Sequence, residues 1–165
     1  LVSCNYLSGE QITGLSSGVP LMARCINANF TFANFARSLL YSAISTLRIG
    51  FDILKNENVE VDKLYGHGGF FKVGNVGASM MASALNTDVS VMESAGEGGA
   101  FGIAVLASYM GSNRSLPDYL KEYVFKGAKE NLCAPDASIT LGFSVYLDRF
   151  LSLLEAERKV VEVLS

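Results

Sequence analysis

This 165-residue sequence contains no run of lysine or arginine, and its net charge is −3. The absence of a basic run or cluster argues against a nucleic-acid partner. Long hydrophobic runs are also missing. Arg37 and Arg48 flank the apolar segment from Leu39 to Leu47. No stretch reaches the roughly 18 uncharged apolar residues of a membrane span, so a membrane partner is not expected. Cysteine is sparse: Cys4, Cys25 and Cys133 are odd in number and lack the spacing of metal ligands. They read as reduced thiols of a cytoplasmic protein, with no metal site. No low-pKa environment can be read near Cys25 or Cys133, so they read as buried thiols rather than nucleophiles. His67 is the only histidine. Proton transfer would need a carboxylate or nucleophile close by, and none is near in sequence, so a polar residue satisfied within its own turn is the plainer reading. No signal-peptide pattern opens the chain, which starts in the strand-like Leu1-Val2-Ser3-Cys4-Asn5-Tyr6-Leu7. A piece of a longer protein is expected.

Half of the residues are hydrophobic and 18% are charged. That balance gives a globular chain of single-domain size with a real core. The apolar excess fits either a face that meets another domain or a core rich in alanine and glycine. Two glycosylation sequons, Asn29-Phe30-Thr31 and Asn113-Arg114-Ser115, carry no function in a cytoplasmic protein.

Residues 1–30 read as short strands or a loop with one hairpin, with turn signals at Ser8-Gly9 and Ser16-Ser17-Gly18. Residues 31–54 read as a helix capped by Asn29 or Thr31. Phe32, Phe35, Leu39, Ala43, Leu47, Phe51 and Leu54 form its apolar stripe, and Arg37 and Arg48 are solvated or locally paired. A strand follows over 59–66, then a helix from Asn75 to Leu85 with Val76, Met80, Met81 and Ala84 inward. Asp88 to Met92 is a second strand. Ser94-Ala95-Gly96-Glu97 has capping-box spacing, which gives Glu97 a structural task beside any contact with ribose or magnesium. Its helix runs to Met110, and Ser115-Leu116-Pro117-Asp118 starts another that reaches Phe125. A loop holds Cys133, Ala134 and Pro135. The last helix spans 139–163, with Phe143, Leu147, Phe150, Leu154 and Val161 inward and Glu155, Glu157, Arg158 and Lys159 toward solvent. Strands alternating with helices argue for an α/β layer with parallel strands.

Two glycine-dense turns sit at the strand-to-helix junctions: Gly66-His67-Gly68-Gly69-Phe70-Phe71-Lys72 and Glu97-Gly98-Gly99-Ala100-Phe101-Gly102. Glycine lets backbone approach a ligand, and a helix N-terminus presents free N–H groups to an anion. The first turn lacks the Gly-Lys-Ser/Thr ending of a P-loop. The second matches a dinucleotide fingerprint only loosely, because Glu122, about twenty positions beyond Gly102, falls within a predicted helix rather than a strand. Glycine turns between strand and helix also arise for geometry alone.

Taken together these segments resemble the FGGY family of carbohydrate kinases, nearest to its xylulokinase-like members. Gly68-Gly69-Phe70-Phe71-Lys72 resembles the family's Gly-Gly-Gly-Ala-Lys-type turn. Glu97-Gly98-Gly99-Ala100-Phe101-Gly102-Ile103-Ala104 resembles its Glu-x-x-Ala-Leu-Gly-Ala-Ala segment. Asn34 to Leu39 and the Tyr6-Leu7-Ser8-Gly9-Glu10 start match in order and spacing, so the likeness covers most of the chain. It implies an α/β fold, the C-terminal half of an actin-like, ribonuclease-H-like ATPase, with an incomplete sheet flanked by helices. Residues 1–165 would then be a single C-terminal domain, the nucleotide-binding lobe, and the N-terminal sugar-binding domain would lie outside this chain. ATP would be bound by Gly68, Gly69, Phe70, Lys72, Gly98, Gly99 and Ala100. Phe70 and Phe71 would stand on the adenine side, and magnesium would be held mainly through ATP and the other domain. No Asp-x-Gly-Thr phosphate loop and no catalytic aspartate are present, so no catalytic residue is assigned here. The resemblance implies a kinase that phosphorylates a pentulose such as xylulose, with the sugar reached through the other domain, and it leaves a homodimer open. The alternative is a non-catalytic interaction or assembly domain that uses the actin-like half-fold.

Overall fold

A computed structural model describes residues 1–164, with the side chains of Ser94 and Ala95 outside the description. The chain divides into two compact units: Leu1–Glu60 together with the segment from Ala137 onward, and Val61–Asp136.

In the first unit, β1 (Val2–Cys4) pairs antiparallel with β2 (Leu21–Ala23). Two long helices pack against β1: α1 (Phe32–Asn56) and α5 (Ala137–Leu164). Helix α1 starts where Thr31 takes an extended backbone and its hydroxyl accepts the Asn34 N–H at 3.2 Å. Its buried face is not the expected apolar stripe. Phe32 is 84% exposed, and Leu39, Leu47 and Leu54 are also exposed, whereas Ser38, Tyr41, Ser42, Ile44, Ser45 and Phe51 are buried. Serines win that face because they let the backbones come close and can bond what they bury. Ser38 Oγ meets Ser3 Oγ at 2.8 Å, and Ser42 Oγ accepts the Asn5 N–H at 3.1 Å. The Tyr146 hydroxyl accepts the Ser3 N–H at 3.2 Å and donates to the Ser38 carbonyl at 2.8 Å. Burial pushes that phenol up to about 12.

Helix α5 buries Phe143, Tyr146, Phe150, Leu153 and Leu154. Each large apolar side chain contributes on the order of 2–3 kcal/mol through its burial. The next position on that face is Glu157, which is fully buried rather than turned to solvent as expected. Its Oε1 accepts the Val19 N–H at 2.6 Å, while its Oε2 has no partner among the described residues. Despite Asp148 and Arg149, α5 is long and apolar enough by composition to cross a membrane, a length the sequence reading did not credit to any segment.

The second unit carries a three-stranded sheet ordered β3 (Lys63–Gly66), β4 (Asp88–Met92), β5 (Glu130–Cys133). Strands β3 and β4 are parallel, joined through α2 (Val76–Leu85), and Gly66 is level with Val91. Ala78 and Ala82 of α2 pack on Val89, with Leu64, Phe71, Met81, Val91 and Cys133 around them. Asn86 ends α2 in the left-handed region at φ 51°. Strand β5, expected as loop, pairs antiparallel with β4. Glu130 on β5 explains its anchoring: its carboxylate accepts from the Ser90 hydroxyl at 2.6 Å and from Lys63 at 3.1 Å. Helix α3 spans Gly98–Tyr109. The helix begun at the Ser115 cap is shorter than expected: α4 (Leu116–Tyr119) gives way to a π-helical turn over Leu120–Val124.

Candidate functional site: two glycine turns and an apolar cavity

Because β3 and β4 are parallel neighbours, the chain leaves both at the same sheet edge, their carboxyl ends, where ligands bind in open α/β sheets. Both glycine turns start there. After Gly66 the backbone reaches φ +96° at Gly68, a conformation that side-chain-bearing residues rarely adopt. A short 3-10 turn follows, in which Phe71 N–H bonds the Gly68 carbonyl and Lys72 N–H bonds the Gly69 carbonyl, each at 3.1 Å. The two phenylalanines meet edge-on, centroids 5.4 Å apart. Phe71 folds over Gly66, where a Cβ would come within 2.5 Å of its ring, and joins the Ala78–Val89 core. Phe70 lies over Gly77. These packed rings anchor the turn and leave the backbone at Gly68 and Gly69 open: a Cβ at either would have no neighbour within 4 Å.

The second turn enters α3 through a 3-10 segment, Glu93–Glu97. The Ser94 side chain, expected as cap, lies outside the described residues. Glu97 makes no side-chain capping bond at the start of α3 and instead meets Lys72, Nζ to Oε1 2.8 Å. That hydrogen bond and the ammonium charge hold the Glu97 carboxyl below its ordinary pKa. Gly98 sits beside His67, and the backbone at Gly99 and Gly102 is as open as at Gly68. Ala100 is exposed on the first turn of α3.

Between α3, the π-helical turn and the sheet edge lies a cavity of about 710 Å³. Tyr65, His67, Met92, Gly98, Phe101, Val124 and Phe125 are among its walls. Of the candidate nucleotide residues, Gly98 lines this cavity, while Gly68, Gly69, Phe70, Lys72, Gly99 and Ala100 lie on the turns beside it. Tyr65, Phe101 and Phe125 were not singled out in the sequence. Their signal was present: Tyr65 immediately precedes the first glycine turn, Phe101 lies within the second, and Phe125 follows the helical segment that starts at the Ser115 cap. Glu122 pairs with Arg114 at 2.7 Å, as a surface ion pair. Among the described residues no three His, Cys, Asp or Glu side chains gather to hold a metal.

Comparison with known families decides the assignment. Residues 1–111 match the model of the FGGY family of carbohydrate kinases, C-terminal domain. The chain belongs to that family. The FGGY domain has the half of the actin-like, ribonuclease-H-like fold that the resemblance implied. Among solved structures it resembles xylulose kinase from Rhodospirillum rubrum, with 19% identity and TM-score 0.67 over 94% of this chain and 30% of that one. It also resembles ligand-bound xylulose kinase from Lactobacillus acidophilus, with 16% identity and TM-score 0.66 over 94% and 31%. A gluconate kinase from Lactobacillus acidophilus aligns with 14% identity and TM-score 0.65 over 93% and 30%. The FGGY chain thus spans about 30% of the length of these kinases. No curated protein matches by sequence.

Proposed function

We propose that this FGGY domain is the nucleotide side of an ATP-dependent sugar kinase whose sugar is a pentulose, xylulose for preference. One observation carries the reading: two glycine turns leave adjacent parallel strands at one edge and border an apolar, aromatic-walled cavity. A flat heterocycle suits such a cavity, and open glycine backbone suits the polar groups attached to it. Gly68 and Gly69 on the first turn, and Gly98, Gly99 and Ala100 on the second, give the triphosphate and ribose room to approach. Phe70 supports the first turn from beneath. Magnesium would be carried mainly by ATP and by the other domain. Bound ATP supplies the phosphoryl group. What this chain contributes is orientation and exclusion of water, which dominate phosphoryl transfer. The base that takes the proton from the sugar hydroxyl belongs to the remainder of a full-length kinase.

The test has two arms. Titrating the chain with a non-hydrolysable ATP analogue should shift the amide resonances of Gly68 to Lys72 and of Gly98. Incubating the chain alone with Mg-ATP and D-xylulose should yield no sugar phosphate. Shifts confined to α1 and α5 would sink the nucleotide assignment and favour the assembly-domain alternative, and phosphorylated sugar would refute the division of labour.

A further inference from the structure

The two glycine turns are not independent of each other. They touch at two places. At the first, Gly98 leaves room for His67, whose Cβ and Nδ1 would each lie 3.0 Å from a Cβ at position 98. At the second, the stem of Lys72 crosses from the first turn to lie along Gly96, its Cε and Cγ at 3.1 and 3.5 Å from where a Cβ would stand, and its ammonium reaches Glu97 at 2.8 Å. The Lys72 stem lies along the neighbouring turn, and its ammonium already has a carboxylate partner. Its own backbone N–H bonds the Gly69 carbonyl and closes the 3-10 turn, so the side chain is tied to the backbone at Gly69.

We propose that Lys72 and Glu97 form a clamp that fixes the spacing of the two turns, so that both are positioning residues and Lys72 is not itself a phosphate ligand. The inference rests on the nucleotide reading only in what the spacing is for; the clamp itself is a property of the chain without nucleotide. Glu97 is the partner the resemblance did not assign, and Gly96 is the glycine along which the Lys72 stem lies.

Four forms of the chain test it: the parent, Lys72→Met, Glu97→Gln and the charge exchange Lys72→Glu with Glu97→Lys. Amide exchange without nucleotide is read at Phe71 and Lys72, and affinity for a non-hydrolysable ATP analogue is read separately. An exposed ion pair is a modest device, so each single variant should speed exchange by about two- to fivefold, and the exchanged pair should restore most of the loss. Both single variants should weaken the analogue by the same factor, and the exchanged pair should recover it. If Lys72 instead binds phosphate, Glu97→Gln keeps or gains affinity while Lys72→Met and the exchanged pair both lose it; that result overturns the clamp. Exchange that is unchanged in both single variants overturns it as well. A parent chain that binds no analogue yet shows the exchange pattern keeps the clamp, which the exchange arm tests without the nucleotide reading.

Discussion

Cys4 and Glu157 are two buried residues of the first unit with opposite consequences. Burial raises the Cys4 thiol from 9.0 to about 11, with the Glu157 carboxylate a smaller cause in the same direction. An acid whose folded pKa is raised favours the folded state below its unfolded value and loses that contribution as pH climbs. Stability from Cys4 should therefore be intact up to about pH 9 and decline by about 2 kcal/mol toward pH 11. Urea midpoints measured across this range should fall more steeply for the parent than for Cys4→Ala, because Tyr146 and the lysines titrate in both and cancel. Glu157 is a different case. One oxygen holds Val19 N–H and the other has no described partner, so the side chain both supports the loop before β2 and carries a desolvation cost. Glu157→Gln keeps an acceptor and buries an amide, which costs less than a carboxylate, so stability should hold or rise. Glu157→Ala loses the acceptor and opens a hole, and urea denaturation should register a loss of about 2–3 kcal/mol.

Within elements, the glycines divide by what forbids a side chain. At Gly77, the second residue of α2, an added Cβ would strike the Phe70 carbonyl and ring, so Gly77→Ala should force the first turn to move and cost about 1–3 kcal/mol in thermal or urea unfolding. At Gly68 nothing is in the way, yet φ is +96°, so Gly68→Ala should cost about 1–2 kcal/mol by strain alone. The reverse ranking would mean that the turn carrying the Phe70 carbonyl shifts easily. The same elements show what could be read before any coordinates. The bounds of α1, α2 and β4 were legible because caps, periodicity and turn residues agree there. The inward face of α1 was not, since apolar spacing points to Leu39 and Leu47 while close packing selects Ser38, Ser42 and Ser45. Strand β5 was hidden because Glu130-Asn131-Leu132-Cys133 does not alternate, and its place is set by Glu130 reaching Ser90 and Lys63. The glycine turns stood out in sequence. Their contacts did not, because Lys72 meets Glu97 only once β3 and β4 lie side by side.

For the whole molecule, the family assignment and the fold agree, and the two compact units bury their own cores. The core of the first is aromatic and that of the second is built around small residues: Ala78, Ala82 and Val89. An alanine-lined core depends on close helix-to-sheet contact, so enlarging Ala82 to leucine should unsettle the second unit by overpacking, seen as faster amide exchange along β4.

Helix α3 is strongly apolar in composition, yet none of its residues is buried, and Ile103 and Leu106 are 72% and 59% exposed. A practical consequence concerns how folding of this chain would be followed. Environment-sensitive dyes such as anilinonaphthalene sulfonate report loosened cores by finding greasy surface. Here that surface exists in the native state. The folded chain should light the dye before any denaturant is added, and a rise in its fluorescence would be a misleading sign of unfolding.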